Sequence, residues 1–361
     1  MALTPNLRLI AWEITRSCNL LCAHCRASST AEHAPGEFST SECFSVIDNI
    51  VEVGRPIVIL TGGEPLLRRD FFEIAKYATR EGLRVAVGTN GTLITKRVAA
   101  RLKEVPISRV GVSLDFPSAN LQDRFRGMPG AYDAALKGAK NAINAGIDVQ
   151  FNCTVTKLNV SYLEDLLALA LELRAVAFHP FMLVPTGRGK NLAPQELEPI
   201  EYERVLNWIF DKQIELGSRI FFKPTDVPHY MRILAQRNHP DNKIMRRASQ
   251  PEMNVLTRGC LAGTGFCFIS HTGRVQGCGY LDVEAGNLRA QDFADVWRNS
   301  PLFNRLRDIS RIKGKCGVCE YKAICGGCRA RAYETTGDYL GEEPYCIHRP
   351  AGLPDESKRS A

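Results

Sequence analysis

Short apolar runs alternate with amphipathic stretches along the first two thirds of the chain, and the alternation predicts strands and helices in turn. LIAWEIT at 9–15 opens the series as a strand. Ser39 and Glu42 form a capping box before a helix running to about Val53, after which PIVIL at 56–60 reads as a buried strand. Asp70 and Glu73 repeat the helix-start signature. RVAVGTN (84–90), RVGVSLD (109–115), DVQFNCTV (148–155) and VAFHPFMLV (176–184) supply four further strands, with helical patterns between them, including one at 131–145 ended by Gly146. Six β–α units in series predict an α/β fold.

In parallel α/β architectures the chemistry collects at the carboxyl ends of the strands. The unusual residues obey that rule: the first strand leads to three cysteines, the second to TGGEP (61–65), the third to Thr89 and Asn90, the fourth to Ser113 and Asp115, the fifth to Thr154, the sixth to VPTGRG (184–189). Taken singly each could be a turn or a solvated loop; six loops facing one mouth point to a site.

Length fits this picture, since an α/β barrel uses ~200–250 residues and 361 leave room for a smaller module. No stretch approaches a membrane span, and MALTPNLRLIAWEITR lacks the marks of a signal peptide, so the expected location is the cytoplasm. There, tight spacings among the thirteen cysteines read as metal ligands, not disulfides. Cys18, Cys22 and Cys25 number three where closed sites use four, which leaves one corner of an iron–sulfur cluster open to a small molecule. The formal charge of +7 counts thiols as neutral, and three clusters would bring it to about +2. Charge thus gives no sign of nucleic acid. Farther on stand Cys260, Cys267 and Cys278, then CGVCEYKAICGGC (316–328), then Cys346; Cys316, Cys319, Cys325 and Cys328 also fit a zinc ribbon by spacing. Cys43 and Cys153 read as buried inert thiols.

CNLLCAHC (18–25) and GGEP (62–65) resemble the radical S-adenosylmethionine (AdoMet, SAM) superfamily. The resemblance implies a partial (βα)6 radical SAM barrel whose open iron, on a [4Fe–4S] cluster held by Cys18, Cys22 and Cys25, chelates AdoMet. It assigns the methionine amino group to Gly62, Gly63 and Glu64, and makes Asn90, Ser113 and Asp115 candidates for the ribose and carboxylate. His24 stands where the superfamily commonly has an aromatic residue. The later cysteines resemble a SPASM domain with two auxiliary [4Fe–4S] clusters, one on Cys260, Cys267, Cys278 and Cys328, the other on Cys316, Cys319, Cys325 and Cys346. Expected boundaries are 1–220 for the barrel, 221–256 for a bridging region, 257–350 for the SPASM domain and 351–361 for a disordered tail.

From about Ile10 to Cys346 the chain is similar to the heme synthases of the sirohaem-derived pathway, notably in 257–281, 184–189 and 315–340. This implies oxidative decarboxylation of two propionates of iron-coproporphyrin III to vinyl groups, with a low-potential donor such as ferredoxin or flavodoxin. A tetra-anionic porphyrin needs an apolar slot rimmed by cations, for which Arg126, Arg188 and Lys190 are candidates, with His229 or Tyr230 reaching the iron or a propionate. The alternatives are a related tetrapyrrole enzyme (didecarboxysirohaem or heme d1 pathway) and a SPASM enzyme modifying a peptide or protein. Only seventeen residues precede Cys18, too few for the peptide-binding module of many such modifiers, although sulfatase-maturing enzymes lack it too.

Overall fold

The computed structural model describes residues 6–237 and 258–353. The expected tail lies outside them from 354 on, as does most of the bridging region. Ten strands form one sheet: β1 (Leu9–Thr15), β2 (Ile57–Gly62), β3 (Arg84–Thr89), β4 (Arg109–Ser113), β5 (Val149–Val155), β6 (Ala177–Met182), β7 (Phe221–Phe222), β8 (Phe266–Ile269), β9 (Arg274–Cys278) and β10 (Leu281–Asn287). Their spatial order is β10-β9-β8-β1-β2-β3-β4-β5-β6-β7. The six predicted strands pair in parallel, as a partial barrel requires. Residues 221–222 extend them as a seventh, so the bridging region begins inside the barrel. On the other edge β8 pairs in parallel with β1, and β9 and β10 follow antiparallel.

The capping box is present: Ser39 and Glu42 satisfy each other's backbone ahead of helix Thr40–Val53. The one expected at Asp70 is absent, because that carboxylate is taken by Arg68 and by the Thr40 hydroxyl, both at 2.7 Å. Helix Ala131–Asn144 ends beside Gly146, whose φ of 74° suits glycine.

Alternation along each strand sorts side chains between a lumen and an outer core. In β5, Val149, Phe151, Cys153 and Val155 are buried against the helices, whereas Gln150, Asn152 and Thr154 line the lumen. In β1, Ile10, Trp12 and Ile14 face the helices while Leu9 and Ala11 line the lumen. The lumen therefore stays open as a cavity of about 1110 Å³. Cys43 and Cys153 are wholly buried in the outer core, as expected.

Candidate active site

The cysteine loop leaves β1 and is fixed by backbone before any side chain acts. Cys18 N donates to Thr30 O at 2.7 Å and Ala23 N to Phe125 O at 2.9 Å. The glycine-rich turn after β2 lies flat against it, with Gly63 N on Thr15 O and Glu64 N on Ser17 O, both at 2.8 Å. A Cβ on Gly62 would fall 2.1 Å from Thr15 O, and one on Gly63 2.3 Å from Ser17 O, so only glycine fits.

Donors point at the three sulfurs. Leu20 N lies 3.4 Å from Cys18 Sγ, Ser29 N 3.4 Å from Cys25 Sγ, and Arg126 Nη1 3.7 Å from Cys22 Sγ. Burial pushes the Cys18 thiol up to about 12, so taking up iron there must release a proton. Tetrahedral zinc would draw its thiolates to ~3.8 Å of one another. Among the described residues, which include all thirteen cysteines, the group of three His, Cys, Asp or Glu ligand atoms within 4.8 Å is Cys319, Glu320 and His348, with a single thiol. Among the described residues the four ribbon cysteines are thus not drawn together as a single zinc ion would hold them.

Of the expected AdoMet contacts, Gly62, Gly63, Asn90 and Ser113 line the cavity with Cys18, Cys22 and Cys25. Glu64 and Asp115 do not. The Glu64 carboxylate is wholly buried and accepts from the Thr89 hydroxyl and Asn90 N at 2.8 Å and from Leu66 N at 3.1 Å, tying the glycine turn to β3. Burial, opposed by those donors, pushes it up to about 7. Asp115 is also wholly buried, ion-paired to Arg126 and accepting from Thr154 N at 2.7 Å. His24 stacks on Phe125, centroids 4.6 Å apart, and burial holds its pKa down near 4, which is a packing role at the cavity wall.

Most of the expected substrate contacts need correction. Arg126 reaches the cavity but is committed to Asp115 and the Cys22 sulfur. Arg188 braces the cysteine loop, donating to Cys22 O at 2.9 Å and Ser29 O at 3.0 Å. Lys190 is exposed and lies 3.9 Å from Glu334. His229 is buried off the cavity beside Tyr202, whereas Tyr230 does line it. The other Arg and Lys residues lining the cavity are Arg8, Arg26, Arg55, Arg109, Lys223 and Arg258, of which Arg26 is paired with Glu13 and Arg109 lies 3.8 Å from Asp148. Burial, then Arg109, pull Lys223 below its ordinary value, partly offset by Asp226. A lysine directly after the buried Phe221–Phe222 was the sequence signal for this group.

The later cysteines fall into two groups. Cys260, Cys278 and Cys328 line the cavity. Cys325 feels Cys316 and Cys346, and Arg232 acts on both Cys319 and Cys346. Backbone N–H groups again meet sulfur, from Glu343 to Cys316 at 3.3 Å and, at 3.4 Å, from Tyr321 to Cys319, Gly327 to Cys325 and Arg331 to Cys328. Cys267 joins neither group. It pairs with Ile10 across β1 and β8 and is wholly buried in the outer core, while its neighbours Phe266 and Phe268 line the cavity. Sequence reasoning also missed the bridge from the first loop to the C-terminal strands: Glu13 on β1 is ion-paired with Arg26 and with His271 Nδ1, and Arg26 lies 4.4 Å over the Phe268 ring.

Residues 12–170 match the model of the radical SAM superfamily, and 260–329 that of SPASM, an iron–sulfur cluster-binding domain. The chain is 49% identical to the AdoMet-dependent heme synthase of Methanosarcina barkeri, over 97% of this chain and 99% of that one. It is 32% identical to the Fe-coproporphyrin III synthase of the same organism, over 94% and 87%. In fold it resembles Streptococcus suis SuiB bound to S-adenosylmethionine, with TM-score 0.76 at 17% identity, over 95% of this chain and 78% of that one. Among the described residues no helix is long and apolar enough to cross a membrane. The chain belongs to the radical SAM superfamily in its SPASM-bearing branch, as an AdoMet-dependent iron–sulfur enzyme homologous to the AdoMet-dependent heme synthases.

Proposed function

We propose that the chain is a cytoplasmic heme synthase that converts two propionates of iron-coproporphyrin III to vinyl groups. The observation that carries this reading is the single cavity of about 1110 Å³ running from the Cys18–Cys25 loop to Cys260, Cys278 and Cys328, with cations inside it. Ligand pockets commonly measure ~300–1,000 Å³, so this cavity lies just above the upper end of that range, as a large ligand requires. The greater identity to the heme synthase than to the Fe-coproporphyrin III synthase favours this tetrapyrrole step over its neighbour.

In this reading Cys18, Cys22 and Cys25 hold the cluster that binds AdoMet, over Gly62 and Gly63 and beside Asn90 and Ser113. The second cluster group is Cys316, Cys319, Cys325 and Cys346. When bound, the cluster and AdoMet supply hydrogen-atom abstraction from an unactivated carbon. The chain's own part is to hold the substrate and exclude water. Phe266 and Phe268 offer an apolar wall to the macrocycle, and Lys223 and Arg109 meet propionates with charge-assisted hydrogen bonds. Each conversion of an ionised propionate removes one CO₂, one hydrogen atom and one electron, so an electron acceptor must lie within reach. A low-potential donor such as ferredoxin or flavodoxin primes each turnover.

The test is anaerobic incubation of the reconstituted protein with AdoMet, reductant and iron-coproporphyrin III, followed by mass analysis. Two successive losses of CO₂ and two hydrogens are expected. Production of 5′-deoxyadenosine with no change in porphyrin mass would overturn the substrate assignment.

A further inference from the structure

Cys267 leaves one cysteine set a ligand short, and the structure offers another group in its place. Period two along β8 sends Phe266 and Phe268 to the cavity and Cys267 to the opposite face, where Arg307 is the charged group acting on it. No rotamer carries a side chain through its own sheet.

Asp226 does stand at the cavity, in the turn between β7 and helix Tyr230–Gln236. Its charge is felt by both Cys278 and Cys328. The residue opens on the cavity, yet its Oδ2 is shielded from solvent and has no hydrogen-bond partner. Its φ of 61° is left-handed, a conformation uncommon for any residue with a side chain and one held here from outside. Arg331, three residues after Cys328, holds the Asp226 carbonyl with Nη1 at 2.9 Å. A shielded carboxylate oxygen without a donor is costly to keep, and iron accepts carboxylate as a ligand.

We propose that Asp226 completes the ligand set of Cys260, Cys278 and Cys328, and that Cys267 is a core thiol that ligates nothing. The proposal rests on the reading that those three cysteines hold a cluster, and the experiment separates the two. In the full chain with Cys18, Cys22 and Cys25 changed to Ala, reconstituted anaerobically, the auxiliary centres report alone. Iron content, the electron paramagnetic resonance spectrum after reduction and the rate of iron loss to a chelator are then measured. Cys328→Ala should cost about one cluster, roughly four irons; full retention of iron would sink the reading beneath the proposal. Cys267→Ala should match its parent in all three measurements. Asp226→Asn, which keeps the shape and tolerates the left-handed backbone, should shift the spectrum of one centre and speed iron loss several-fold. Asp226→Cys, an all-thiolate set, should restore slow loss with a spectrum unlike the parent's. An Asp226→Asn or Asp226→Cys spectrum identical to the parent's, or loss of a cluster in Cys267→Ala, overturns the proposal.

Discussion

Single buried charges hold this molecule together, and Arg331 shows how much one can carry. Its guanidinium lies 3.5 Å from Glu343 and 3.6 Å from Glu196 and donates to Leu183 O at 3.1 Å, with no part of the residue exposed. Arg331→Met would strand Glu343, itself wholly buried, and breaking a buried pair from one side costs ~3–5 kcal/mol. Anaerobic thermal unfolding should show a large loss of stability, with iron released at lower temperature. Glu64 sets a pH dependence of known sign. Its folded pKa near 7 lies above the ordinary 4.5, so the folded state keeps a proton that the unfolded chain gives up. The stability that Glu64 contributes is therefore full below about 4.5 and is lost as pH rises from there through 7, on the order of 3 kcal/mol in all. Glu64→Gln should flatten the fall in melting temperature between about pH 5 and pH 7, and a slope equal to wild type would remove Glu64 as its source.

Turns, more than strands, decide where the site's loops meet. Gly187 has a φ of 54°, and a Cβ there would sit 2.0 Å from Arg26 O. Gly217 has a nearly equal φ of 57° with nothing within 4 Å of its would-be Cβ. Gly217, with ψ of −121°, lies outside the left-handed helical region, so Gly217→Ala should cost only backbone strain, ~1–3 kcal/mol, with iron content unchanged. Gly187→Ala adds a collision with the cysteine loop, so bound iron and AdoMet cleavage should fall together; equal effects in both variants would mean that this packing is irrelevant. The six strands and the Ser39 capping box were legible because their signals are local. Arg126 and Arg188 were read as substrate cations because they follow the right elements, but sequence position does not show whether a guanidinium turns to the lumen or to a carbonyl behind it. Arg109 and Lys223 were missed for the complementary reason: a charge within or beside an apolar run looks like an interruption until alternation places it on the inner face. Cys267 was counted with the first auxiliary cluster through the SPASM resemblance, and only its register opposite Ile10 shows which face of the sheet it takes.

At the scale of the whole molecule, the pairing of β8 with β1 matters most, because no local pattern could announce a parallel neighbour some 250 residues away. It makes the cysteine-rich region a wall of the lumen: Phe266, Phe268, Cys260 and Cys278 line the same cavity as Cys18 and Gly62. The bond between the two parts is also ionic, since Arg26 joins the Glu13 carboxylate to Gly279 O and His271 closes on the same acid. A chain ending after Arg237 would keep β1 through β7 but leave β1 as a bare edge, with unpaired N–H and C=O groups and an opened lumen. It would also leave Glu13 without His271, Ile10 without its partner Cys267 and Trp12 without Ile269. Such a fragment should be largely insoluble or, where soluble, aggregated and poor in iron, by comparison with the full chain in sedimentation and far-ultraviolet circular dichroism. If the SPASM region were instead a module merely tethered to a self-sufficient barrel, residues 1–237 would give a soluble monomer that unfolds cooperatively and binds about four irons. That result would refute the shared-sheet account, whereas aggregation with recovery on restoring residues 238–361 would tie the barrel's stability to the strands that close it.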